Sequence, residues 1–170
     1  MRLGYVSMTE RGATDLLLAA VARGLMDAGV ALAGAVQTNT DRACEHHCDM
    51  DLQVLPDGPV LRISQNLGAG SSGCRLDPGA LEAAVAATEA RIDGAAMLIV
   101  NKFGKHEAEG RGFRDLIGEA LSRGMPVLCG INGLNRAAFL DYAGPLAEEL
   151  PPDPATILRW SRDGLARVAA

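Results

Sequence analysis

With 170 residues, 48% of them hydrophobic, the chain can bury a sizeable core as one domain, and this composition excludes disorder. Its net charge of −5, from 16 basic and 21 acidic side chains with no basic stripe, argues against nucleic acid as a partner. No apolar run reaches the roughly 18 residues of a membrane span, and the N-terminus lacks a signal-peptide pattern, so a cytoplasmic setting without membrane insertion is expected.

Leu3 to Met8 reads as a first strand, short and apolar. Ser7 to Thr14 is the loop after it, and Asp15 to Ala28 is a helix with Leu17, Val21 and Leu25 on one face. Gly29 ends that helix, and Ala31 to Gln37 is a second strand. Strand, helix and strand in succession form a βαβ unit, which predicts a largely parallel sheet. The segment from Thr38 to Gly58 is less regular. Leu52 to Leu55 and Val60 to Ser64 flank Pro56-Asp-Gly-Pro59 as a hairpin.

A Gly-rich loop, Gln65 to Asp77, leads into the next helix. Asp77-Pro78 marks its start, an N-cap followed by proline at the first turn. Leu81, Val85, Thr88 and Ile92 face inward from it. Ala95 to Val100 is apolar without alternation, the mark of a strand covered on both faces. Asn101 to Gly112 is polar and Gly-rich, after which Phe113, Leu116, Ile117, Ala120 and Leu121 recur at helical spacing until Gly124. Pro126 to Gly130 is a further strand with Asn132 and Asn135 in its exit loop. Arg136 to Tyr142 and Ala155 to Val168 are closing helices, joined by a stiff connector with Pro151, Pro152 and Pro154. The predicted fold is a single-domain, three-layer α/β sandwich with a mostly parallel sheet and a small β-hairpin insertion.

Ligands of such sheets are met at the carboxyl ends of the strands. The first loop, Ser7-Met-Thr-Glu-Arg-Gly-Ala-Thr14, lies over the phosphate-binding pattern G-x-x-x-x-G-K-[ST] and matches it at Gly12 and Thr14. Ser7 stands at the first glycine and Ala13 at the lysine, which normally reaches the outer phosphates. A helix start still offers N–H groups to an anion, so Thr9, Arg11, Gly12 and Thr14 are candidate ligand residues. The competing reading is an ordinary strand-to-helix turn.

Asn101-Lys-Phe-Gly-Lys-His-Glu107 resembles a segment of small P-loop nucleoside triphosphatases that accept many nucleotides. Their strand ends Asp-Glu-Ile-Gly-Lys-Met-Glu, so Gly104, Lys105 and Glu107 are kept while the acidic pair becomes Asn101 and Lys102. In those enzymes the resemblance assigns Mg²⁺ holding to the Asp and water activation to the Glu. The exchange shifts the local formal charge by about +3, which removes a cation's ligand and gives an anion a partner. Asn101, Lys102, Lys105 and Arg111 are therefore candidate anion contacts.

Over nearly its full length the chain is also similar to a bacterial family carrying domain of unknown function 2478. The resemblance rests on Gln37, Asp49-Met-Asp-Leu52, Arg62-Ile-Ser-Gln65, Gly73-Cys-Arg-Leu-Asp-Pro-Gly79 and the Asn101 to Gly112 run. It implies a P-loop NTPase-like fold and a loose association with molybdate ABC transporters.

Two further loops carry donors or metal ligands. Gly70, Ser71, Ser72 and Arg75 form a Gly-rich run whose N–H, hydroxyl and guanidinium groups suit phosphate, sulfate, molybdate or tungstate. A connector in which Arg75 pairs an acidic neighbour is the competing reading. Cys44, His46, His47 and Cys48 are Zn²⁺-type ligands, but their spacing is no paired motif and an exposed polar loop competes.

Three functions follow as expectations. The first is a binding protein with a degenerate phosphate loop, holding an oxyanion or a nucleotide, in molybdate or tungstate handling. The second is an active nucleoside triphosphate phosphohydrolase, with Lys102 or Lys105 replacing the missing lysine and Glu107 activating water. The third is a regulatory module docking on a protein partner or on a second copy.

Overall fold

The computed structural model describes residues 1–41, 48–65 and 76–168. Among them, β1 (Leu3–Val6), β2 (Leu32–Asp41), β3 (Cys48–Leu55), β4 (Val60–Arg62), β5 (Met97–Phe103), β6 (Val127–Ile131) and β7 (Ala147–Glu149) form one sheet. The strand order is β4-β3-β2-β5-β6-β1-β7. Strands β2, β5, β6, β1 and β7 run parallel, whereas β3 and β4 join antiparallel at one edge. The predicted hairpin thus continues the sheet.

Helices α1 (Ala13–Asp27) and α6 (Pro154–Val168) cover one face. The other carries α2 (Pro78–Glu89), α4 (Arg114–Ser122) and α5 (Arg136–Ala143). Alternate residues of a strand point to opposite faces. Accordingly Met97 and Ile99 of β5 enter the α1 and α6 core, and Leu98 and Val100 the other. This is why that strand is apolar from Met97 to Val100, where neither face meets water, before it runs on through Asn101 and Lys102, which the sequence reading places at the start of the loop. A one-turn helix, α3 (Lys105–Ala108), follows β5 directly.

Several boundaries differ from the sequence reading. β2 runs on to Asp41 and β3 begins at Cys48, so much of the segment expected to be irregular is a long antiparallel ladder from Gly34↔Leu55 to Asp41↔Cys48. β2 pairs with β5 only from Leu32 to Ala35, beyond which its ladder partner is β3. β1 stops at Val6, and β7 was not expected. Gly34, at φ 126°, is required where β2 and β5 meet: a Cβ there would lie 1.9 Å from the Ile99 carbonyl oxygen. Among the described residues no helix is long and apolar enough to cross a membrane.

Candidate ligand site at the end of β5

The first turn of α1 and the end of β5 are tied by a buried carboxylate. Asp15 is 5% exposed. Its Oδ1 accepts from Asn101 Nδ2 at 2.8 Å, and its Oδ2 accepts from Asn39 Nδ2 at 2.6 Å and from Gln37 Nε2 at 3.4 Å. Asn101 Oδ1 in turn accepts from the Gln37 backbone N–H at 2.9 Å. Lys102 Nζ stands 3.9 Å from the same Asp15 Oδ1, with its side chain 40% exposed. Successive residues of a regular strand point to opposite faces. The register of β5 against β6 shifts between Val100 and Phe103, the stretch that holds Asn101 and Lys102, both of which reach this carboxylate.

Close packing sets the approach of α1 to this corner. Gly12 takes the left-handed conformation, φ 76°, at the helix N-cap. A Cβ on Gly130 would lie 2.2 Å from the Asn101 carbonyl oxygen and 3.0 Å from Thr14 Cγ2. Thr14 itself is buried, and its Oγ1 accepts from the Met8 backbone N–H at 3.2 Å. That hydroxyl closes the loop onto its own helix.

The segment after β5 is held by a second buried carboxylate. Glu107 Oε2 accepts from Gly104 N at 2.8 Å, the reach-back bond of a helix start. Its Oε1 accepts from Phe113 N at 3.1 Å, closing the loop onto α4. Burial pushes the Glu107 carboxyl above its ordinary range, and these backbone donors oppose that shift. Gly112, at φ 59°, fits because a Cβ there would lie 2.2 Å from Glu107 Oε1. Lys105 and Arg111 are exposed and both pair with Glu109, Lys105 at 3.7 Å. The Arg111 hydrogen bond, with Lys105 nearby, holds the Glu109 carboxyl below the usual range.

These elements border one cavity of about 730 Å³. Arg11, Asn101, Lys102, Lys105, Glu107 and Arg111 all line it, so the structure brings together six residues singled out from two separate loops. Thr9 is exposed on the first loop, and neither it, Gly12 nor Thr14 lines the cavity. Gly70, Ser71, Ser72 and Arg75, and likewise Cys44, His46 and His47, lie outside the described residues, and of Cys48 only the backbone is described. Among the described residues no group of three or more His, Cys, Asp or Glu side chains is placed to hold a metal ion.

Asp15, Asn39 and Glu109 escaped the sequence reading. An acid in the first turn of a helix is ordinary dipole compensation, so Asp15 carried no separate signal.

Residues 3–160 match the family described as "Protein of unknown function (DUF2478)". The chain is 34% identical over 155 residues to a Bradyrhizobium diazoefficiens protein named Molybdenum import ATP-binding protein ModC 2. That match takes in 91% of this chain but only 17% of the relative's length. The solved structure of THEP1 from the hyperthermophile Aquifex aeolicus superposes with a TM-score of 0.64 over 100% of both chains, at 14% identity. The two share the P-loop NTPase-like architecture.

Proposed function

The chain belongs to the DUF2478 family, and we propose that it is a binding domain that holds the phosphate, or another oxyanion, of a small ligand such as a nucleotide. In this reading Lys102 is the principal contact, Arg11, Lys105 and Arg111 line the approach, and magnesium-dependent hydrolysis has been lost. One observation supports it: the Lys102 ammonium, which lines the cavity, lies 3.9 Å from the carboxylate that directly follows Thr14. In this reading a lysine from β5 takes the part of the one absent from the first loop. At 3.9 Å the pair is at its outer limit, and an ammonium on a flexible stem can swing to an arriving anion.

Glu107 fits the binding reading better than the hydrolytic one. Both of its oxygens are engaged by backbone N–H groups, which leaves it as the clasp of the loop. The molybdate or tungstate setting is supported by the name of the relative, of which this chain matches a small part.

A thermal-shift panel of nucleotides, molybdate, tungstate, phosphate and sulfate, with and without Mg²⁺, tests the proposal. A ligand at 100 times its dissociation constant stabilises the fold by about 2.7 kcal/mol, and the gain is expected to be independent of Mg²⁺. Nucleoside triphosphate turnover above about 0.1 s⁻¹, lost in Glu107→Gln, would replace this reading with the phosphohydrolase; enzymes typically run at 1 s⁻¹ or faster. Silence across the panel would favour the docking module.

A further inference from the structure

The cavity is larger and less polar than a bare oxyanion needs. Its volume of about 730 Å³ falls in the range of roughly 300–1,000 Å³ that encloses whole organic ligands. The charged groups gather at the β5 end. The β3 side of the cavity, separated from β5 by β2, is lined by Met50, Leu52, Ile63 and Leu76.

The pleat of β3 explains this division. Met50 and Leu52 share the strand face that lines the cavity, whereas Asp49 and Asp51, each one residue before them, face the other way and pair with Arg62 at 2.8 and 2.9 Å. Met50 and Leu76 are only half-buried, so they leave apolar surface open to the cavity after their core contacts are made. A site meant for a small, strongly hydrated tetrahedral ion gains nothing from such a wall. An organic group gains its whole transfer free energy.

We infer that this apolar side receives the carbon portion of an organic phosphate, an apolar ring carried on the anionic head that Lys102 holds. The inference rests on the oxyanion reading above and narrows it: the ligand is a phosphate ester, and free inorganic oxyanions occupy only one end of its site.

Isothermal titration of the full chain with inorganic phosphate and with phenyl phosphate separates the two statements. Burying a phenyl ring, on the order of 100 Å² of apolar surface, is expected to tighten binding about 50-fold over inorganic phosphate. Met50→Asn should bring phenyl phosphate to within about threefold of inorganic phosphate and leave the latter unchanged, whereas Lys102→Gln weakens both. Leu76→Asn serves the same purpose should Met50→Asn not fold. Equal binding of the two probes by the native chain overturns the ring subsite and leaves the oxyanion reading standing. A preference that survives both asparagine variants also overturns it. Binding of neither probe removes the oxyanion reading, and the subsite with it.

Discussion

Asn101 Nδ2 donates to Asp15 Oδ1 at 2.8 Å, so an uncharged amide meets a buried carboxylate where β5 ends beside the first turn of α1. Asn101→Asp would set two carboxylates within hydrogen-bond distance at a buried site. Loss of the donor together with like-charge repulsion is expected to destabilise the fold by about 3 kcal/mol at pH 7. Urea unfolding measures this. A variant as stable as the native chain would show that Asp15 does not depend on the amide.

Lys102→Gln should separate binding from stability. The ion pair with Asp15 is long and 40% exposed on the lysine side, so unfolding should change by less than about 1 kcal/mol. Anion affinity, by contrast, should fall about 10- to 100-fold with the loss of one charge-assisted hydrogen bond. Titration calorimetry alongside urea unfolding reads both quantities on one preparation.

Gly112→Ala tests the clasp around Glu107. The residue sits at φ 59°, and a Cβ would lie 2.2 Å from Glu107 Oε1, which must then release Phe113 N. Left-handed strain and a lost buried acceptor together predict about 2–4 kcal/mol of destabilisation. Gly110→Ala is the control, since its φ of 86° imposes the strain but nothing lies within 4 Å of its Cβ position. It should cost only about 1–2 kcal/mol.

Glu107 also predicts a pH dependence. Its folded pKa is raised from 4.5 chiefly by burial, so the folded chain holds this proton more tightly than the unfolded chain. Stability contributed by this group is therefore greatest below pH 4.5 and declines as pH rises through the raised folded value. Other carboxylates, Glu109 among them, are lowered and act in the opposite sense, so the native curve alone mixes the two. The difference in unfolding free energy between native and Glu107→Gln should shrink with rising pH across that window. A constant difference would refute the assignment.

Much of the fold was legible because burial writes itself into composition. The apolar run Ala95 to Val100 does mark a strand, although β5 begins at Met97 and continues through Asn101, Lys102 and Phe103; the Asp77-Pro78 helix start is also present, and Asp77 Oδ1 accepts from Ala80 N at 3.0 Å as an N-cap should. The extension of β2 through residues 38–41 did not show, since Thr, Asn, Thr and Asp are polar and their pairing with β3 is satisfied by backbone alone. β7 was invisible because it is short and polar: it pairs with β1 at the sheet's edge, and Glu148 and Glu149 are held by Arg2, Arg136 and the Tyr5 hydroxyl, distant in sequence. Within the site, Lys102 and Asn101 could be singled out by comparison with an acidic pair. Their partner Asp15 could not, because the β5 irregularity that joins them leaves no local pattern.

The 3.9 Å approach of Lys102 to Asp15 sets an anion of the protein's own beside the cavity. Under the proposed function, Asp15 would serve as an internal understudy for the ligand, which must outcompete a carboxylate already within reach of the ammonium. Selectivity then begins with charge density: a dianionic headgroup can win that exchange, while chloride or a single carboxylate meets a rival of equal strength.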